Sequence, residues 1–396
     1  MGIKVLIIGA GVYVCGRGTD GFGTILPAVL QTAKAFGLID RLTIVGTGAD
    51  SINLLKDKQH EIEARLGTSL PTRYLPESGR DPEAYQQALR REHDAAIIAV
   101  PDPLHYTIGR AAIEAGLHTL LVKPFVTKLQ DGIELARLAD RKGVLGAVEF
   151  HKRYDTANRL LRGRLIRGEL GELLYFHIAY SQRKMVPLEH FAGWSADTNI
   201  FQYLGVHYVD LIFYFTGAMP VRVMACGQKT YLAGQGLDTP DAMQVMIEWR
   251  ESTGRRFVSS HLTNWIDPNT SSAMSDQKIS VVGTAGRIDS DQKNRGLQVV
   301  TDANGVEDIN PYFSQFLPAA DGKQDFEGYG CQSVMQFLRD VDGLNAARTT
   351  LESLARERAT FASSLVSQAV IEAANRSLAE QQQWVDVDTS WNDLLP

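Results

Sequence analysis

Short apolar runs, each closed by glycine or proline, punctuate the first part of the chain. Lys4–Ile8 ends at Gly9-Ala10-Gly11, Leu42–Val45 at Gly46, Ala95–Val100 at Pro101-Asp102-Pro103, and Thr119–Val122 at Lys123-Pro124. The runs do not alternate, which predicts strands buried on both faces, as in a parallel sheet covered by helices. Helix-compatible stretches fall between them, at about 24–36, 51–67, 106–115 and 133–141, and Gly146–Phe150 reads as a further strand. This rhythm predicts a doubly wound α/β domain over residues 1–147.

Beyond residue 147 the rhythm changes. Leu173–Tyr180, Val221–Cys226, Ala242–Trp249 and Arg256–Leu262 alternate, and Lys278–Val282 follows. Strands without intervening helices predict an open, mostly antiparallel sheet. Helical segments are expected at 156–167 and 206–215, and Thr349–Leu378 reads as one long helical stretch covering a sheet face. Residues 148–396 are thus expected to form a second α/β domain.

Composition narrows the classes. The 396 residues carry 40 basic and 46 acidic side chains, a formal charge of −6, with 44% hydrophobic residues. That is an ordinary globular composition, and its acidity argues against nucleic acid as a partner. Cys15, Cys226 and Cys331 are widely spaced, so neither a disulfide framework nor a structural zinc site is expected. No apolar run approaches the roughly 20 residues of a membrane span, and no leader pattern opens the chain. A reduced, cytoplasmic protein with no membrane partner is the expectation.

The strand–Gly9-x-Gly11 turn stands where a nucleotide-binding domain holds a pyrophosphate on backbone N–H groups and a helix N-terminus, with Val12 beside it. A ligand-free glycine-rich loop is the alternative. Position 14 is Val14 rather than glycine, and Gly23 is expected to do the close-packing work of the third glycine after an excursion over Tyr13–Phe22. The second strand ends in Gly46-Thr47-Gly48, with Asp50 slightly late for the acidic residue that binds the adenosine ribose of NAD. No arginine replaces it nearby, so Lys56 or Lys58 would have to reach a 2′-phosphate. NAD and NADP both stay open, and the balance favours NAD. Pro101 and His105 are expected to line the nicotinamide side.

Lys123, at a parallel strand's carboxyl end, can stabilise the charge on a substrate oxygen. His207 and Asp210 are three apart at the start of an apolar helix, so both share a face, and His207 can accept a hydroxyl proton. Tyr203 can present its hydroxyl four residues earlier. A capping histidine with a structural aspartate is the alternative. No metal-ligand spacing is present.

In order and spacing these pieces resemble the Gfo/Idh/MocA oxidoreductases. They are the Gly9-x-Gly11 turn, Gly23–Ala28, Val100–His105, Ala111–His118, Leu121–Pro124, Gly205–Asp210 and Ala369–Ser377 followed by Trp384-Val385. The resemblance implies an N-terminal Rossmann domain, a C-terminal α/β domain and NAD(P)-dependent exchange of a secondary alcohol and a ketone on a sugar, glycoside, cyclitol or sugar nucleotide. It also implies a homodimer or homotetramer. The family lysine falls on Lys123 and its histidine on His207. Two positions depart: the acid before the lysine is Val122, and the aspartate four before the histidine is Tyr203. Substrate contacts are expected from Lys123, Arg153, Tyr203, His207, Asp210 and Trp265, the last on a lid near residues 265–269, with Lys152, His177 and Arg183 as further candidates. Sugar–sugar exchange on a tightly held cofactor, or a non-catalytic dinucleotide sensor, are the alternatives.

Overall fold

The computed structural model describes residues 2–190, 193 and 195–395. The chain forms two compact units, the first made of residues 1–154, 312–365 and 391–396, the second of 155–311 and 366–390. The sequence reading places one boundary at 147/148; in the structure the chain returns to the first unit after residue 311.

The first unit contains β1 (Ile3–Ile8), α1 (Val12–Cys15), α2 (Ile25–Phe36), β2 (Ile39–Val45), α3 (Ala49–Leu66), β3 (Thr72–Leu75), α4 (Ala84–Leu89), β4 (Ala95–Ile98), α5 (His105–Glu114), β5 (His118–Val122), α6 (Leu129–Lys142) and β6 (Gly146–Glu149). Every pairing within this six-stranded sheet is parallel, and the order is β3-β2-β1-β4-β5-β6. Strand order reverses between β1 and β4, the switch point beside which doubly wound sheets hold ligands. The apolar runs behave as read: Val5, Leu6, Ile7, Ala95, Ala96, Ile97 and Ile98 are fully buried. β3 escapes the pattern because only Leu75 of its four residues is buried.

The return of residues 312–365 has a hydrophobic cause. The helix Tyr329–Asn345 places Cys331, Val334, Phe337, Leu338 and Val341 in one cluster with Ile25, Leu26 and Val29 of α2. The expected long helix 349–378 is two helices, Leu351–Glu357 and Phe361–Ala379. Arg358 interrupts them in extended conformation, and its guanidinium grips both carboxylate oxygens of Asp340 at 2.6 and 3.1 Å.

The second unit contains α7 (Thr156–Ile166), β7 (Leu173–Arg183), α8 (Val206–Thr216), β8 (Met219–Gln228), β9 (Ala242–Arg250), β10 (Arg256–Asp267), β11 (Ser275–Gly283) and β12 (Gly286–Asp291). Its sheet runs β12-β11-β7-β10-β9-β8 and ends on the short strand Val385–Asp386. All pairings are antiparallel except β7 with β10. Ser377 near the end of the last helix accepts the Ala225 N–H of β8, so that part of the helix lies on the sheet as expected. No described helix is long and apolar enough to cross a membrane.

Candidate functional site

The turn after β1 is built for close backbone approach. Gly9 has φ +128°, and a Cβ built there would overlap the Ala99 carbonyl oxygen beyond β4. Only glycine suits both constraints. Gly11 caps α1, and a Cβ built on it meets no atom within 4 Å, so open space lies in front of it. Val12 beside it is 42% exposed. These features fit a pyrophosphate laid against the turn.

The excursion differs from its expected span. Val14 and Cys15 are fully buried, and that burial draws residues 12–15 into one helical turn before the chain leaves. Gly23, at φ +68°, closes the detour: its built Cβ would stand 2.7 Å from Val12 O and Cys15 N, a packing only glycine permits. The loop is braced from α3. Lys58 Nζ donates to Gly21 O at 2.8 Å and Thr19 O at 3.3 Å and stands 4.8 Å from the Phe22 ring centre. Lys56 stands 5.2 Å from the Tyr74 ring centre.

Lys123 extends β5 into a cis peptide with Pro124. Burial pulls its ammonium down to about 8, opposed by the negative charges of Asp102 and Glu149. Glu149 was not singled out from the sequence. It lies on β6 directly opposite Val122 in the parallel register, so a neighbouring strand supplies a carboxylate where the expected acid before the lysine is missing. It is 2% exposed and accepts hydrogen bonds from Ser333 Oγ and, at 2.9 Å, from His151 Nδ1. Tyr13, carried in by α1, sets its hydroxyl 3.3 Å from that same nitrogen. Burial, and then the Glu149 charge, holds the Tyr13 phenol well above its usual range. A glutamate inside an apolar strand was the available signal.

The structure places His105, expected on the nicotinamide side, in the interior of the first unit. It is fully buried, with Nδ1 2.8 Å from Pro124 O and Nε2 3.0 Å from Val100 O. It fastens the loop after β4 to the end of β5 and so positions the lysine. Pro101 and Thr47 are exposed at the ends of their strands, whereas Lys152 and Arg153 are buried in the short turn after β6.

In the second unit His207 and Asp210 are both 2% exposed at the start of α8. Tyr203 lies in a widened, π-type turn, Phe201–Gly205, that runs into α8, and its ring centre is 5.9 Å from that of Trp265. Trp265 is not on a lid. It is fully buried on β10, where alternation continues to Asp267, and Nε1 donates to Gln182 Oε1 at 2.9 Å. Its ring therefore backs Tyr203 and offers no face for a sugar. His177 pairs with Ser260 Oγ across β7 and β10, and Arg183 with Ser271, so both are engaged within the sheet region. Among the described residues no cluster of metal-ligating groups occurs.

A switch-point parallel sheet with a glycine turn, joined to a mixed-sheet unit, defines the class: a two-unit protein built on a Rossmann dinucleotide fold. Residues 43–150 match the model of an oxidoreductase family with an NAD-binding Rossmann fold, and residues 158–289 match the GFO/IDH/MocA C-terminal domain. The chain belongs to the Gfo/Idh/MocA oxidoreductase family. It is 29% identical to the scyllo-inositol 2-dehydrogenase (NADP(+)) of Bacillus subtilis over 133 residues, 33% of this chain and 37% of that protein. With the UDP-N-acetylglucosamine 3-dehydrogenase of Acidithiobacillus ferrooxidans it shares 28% over 171 residues, 43% of this chain and 49% of the relative. Matches of this kind span about a quarter to a half of the curated relatives. The fold is that of myo-inositol 2-dehydrogenase from Lactobacillus plantarum, with TM-score 0.68 and 16% identity, covering 98% of this chain and 100% of that one. Scyllo-inositol dehydrogenase from Lactobacillus casei, solved with NAD(H) and scyllo-inositol, gives TM-score 0.68 at 13% identity, covering 98% and 99%.

Proposed function

We propose that the chain is an NAD(P)-dependent dehydrogenase that interconverts a secondary alcohol and a ketone on a sugar, glycoside, cyclitol or sugar nucleotide. The observation that carries this reading is Lys123, a half-buried lysine at the carboxyl end of β5 in a Rossmann unit, with its charge held in balance by burial against Asp102 and Glu149. Gly9, Gly11, Val12, Gly23, Thr47 and Pro101 are the residues that would hold the coenzyme, whose nicotinamide supplies the hydride chemistry when bound. Lys123 donates a hydrogen bond to the reacting oxygen and steadies its negative charge. His207 is proposed to take the hydroxyl proton with Asp210 orienting its ring, and Tyr203 and Arg153 to hold neighbouring hydroxyls.

The substrate class is supported by the printed activities of the relatives, several of which act on inositols, glucosides or nucleotide sugars. All three cysteines are free, which suits the proposed cytoplasmic setting. A homodimer or homotetramer is proposed through the outer face of the mixed sheet, where Tyr175, Met246 and Leu262 are 46%, 38% and 41% exposed. A monomer by light scattering would refute that assembly.

The test is a panel of sugars, cyclitols, glycosides and sugar nucleotides followed by coenzyme absorbance, with NAD and NADP separately. Turnover on at least one panel member is expected. Coenzyme binding without turnover on any would replace the enzyme by a dinucleotide sensor, a reading that the tyrosine at position 203 favours.

A further inference from the structure

A cavity of about 580 Å³ opens on the first unit at the carboxyl end of β2. Small-molecule sites span roughly 300–1,000 Å³, so its size suits a ligand fragment. Arg17, Thr47, Gly48, Asp50, Ser51 and Arg80 are among its lining residues. They come from three places: the excursion after α1, the β2–α3 turn, and the loop after β3.

Both arginines are held by their backbones. Gly48 and Arg80 form an isolated antiparallel bridge, Ala49 N donates to Gly79 O at 2.8 Å, and Asp81 N to Thr47 O at 3.1 Å. Arg17 sits in the loop that Lys58 braces two and four residues further on, at Thr19 and Gly21. Both side chains are exposed, and among the described residues neither forms an ion pair. Asp50, in the first turn of α3, is the single carboxylate in the lining. Two forked cations therefore face one anion beside a helix N-terminus, at the strand end where a Rossmann fold reads the adenosine ribose. A ribose 2′-hydroxyl asks for an acceptor there, whereas a 2′-phosphate asks for guanidinium donors.

We infer that this cavity is a 2′-phosphate subsite, in which Arg17 and Arg80 clasp the adenosine 2′-phosphate of NADP(H), so that the chain prefers NADP(H) to NAD(H). The inference rests on the dinucleotide reading above and reverses the balance towards NAD drawn from the sequence. Lys56 and Lys58, the cations nearest in sequence, are turned to Tyr74 and to the excursion loop. The excursion instead supplies Arg17 to the cavity.

Calorimetric titration of the full chain with NADPH, NADH, adenosine 2′,5′-bisphosphate and adenosine 5′-monophosphate tests it. Each 2′-phosphorylated ligand is expected to bind at least about tenfold more tightly than its counterpart, the scale of a charge-assisted hydrogen bond. Arg17→Ala and Arg80→Ala should each weaken NADPH about tenfold and NADH less than about twofold. Both variants should melt as the wild type does, since both side chains are exposed. NADH binding as tightly as NADPH, or an equal loss of both in the variants, overturns the subsite and leaves the dinucleotide reading standing. Failure of both coenzymes to bind overturns that reading and the subsite with it.

Discussion

Replacing Lys123 with methionine is expected to lower kcat by about 10²–10⁴-fold, the usual contribution of a positioned proton donor or charge stabiliser, and to leave coenzyme dissociation constants within about threefold. Methionine keeps the length and flexibility of the lysine stem, so the packing beside Pro124 survives while the charge is lost. Burial disfavours the lysine's charged form in the folded protein. Removing that charge should therefore not lower the melting temperature, and a fall in kcat cannot be assigned to unfolding. Unchanged kcat in a folded variant would remove Lys123 from the reaction.

Gly9→Ala is expected to have the largest effect on stability. Alanine at φ +128° meets both backbone strain and the Ala99 carbonyl, and each contribution costs on the order of 1–3 kcal/mol. The melting temperature should fall by roughly 4–24 °C, at about 2–4 °C per kcal/mol for a domain of this size. Gly11→Ala is the matched control. Gly11 has φ −89° and open space at its Cβ position, so stability should hold within about 0.5 kcal/mol. If the pyrophosphate lies there, the added methyl stands in its place and coenzyme affinity should fall at least about tenfold. A wild-type melting temperature for Gly9→Ala would contradict the close approach of β1 and β4. Unchanged coenzyme affinity in Gly11→Ala would contradict the phosphate turn.

Patterns that depend on local burial were readable from the chain. Val5–Ile8 and Ala95–Ile98 are apolar on both faces because helices cover both sides of the sheet, and that leaves a continuous run. Gly23 was readable as a close-packing glycine because it directly precedes a helix. What depends on pairing between distant segments was not readable. Thr72–Leu75 carries one buried residue, too few for a pattern. The helix Tyr329–Asn345 shows its apolar face in the sequence, yet nothing local says that α2 will receive it. Glu149 acquires its place opposite Val122 only through the β5–β6 register. Arg17 and Arg80 lie about thirty residues to either side of Thr47 and meet at one cavity through two loops. Trp265 is a different case. Its alternation with Thr263 and His261 was visible and marks it as inward-facing, but its position before Asp267-Pro268-Asn269 suggested a loop.

The charge state of Lys123 is the most direct test of the account. The ammonium is present below about 8 and lost above it. In the reductive direction of the proposed reaction it would donate to the carbonyl oxygen, so kcat/KM should be level below that pH and fall about tenfold per pH unit above it. Lys123→Arg keeps a charge across the range, and its profile should lose this alkaline limb even at reduced activity. A wild-type profile that rises or stays level from pH 7 to pH 10 would contradict the account.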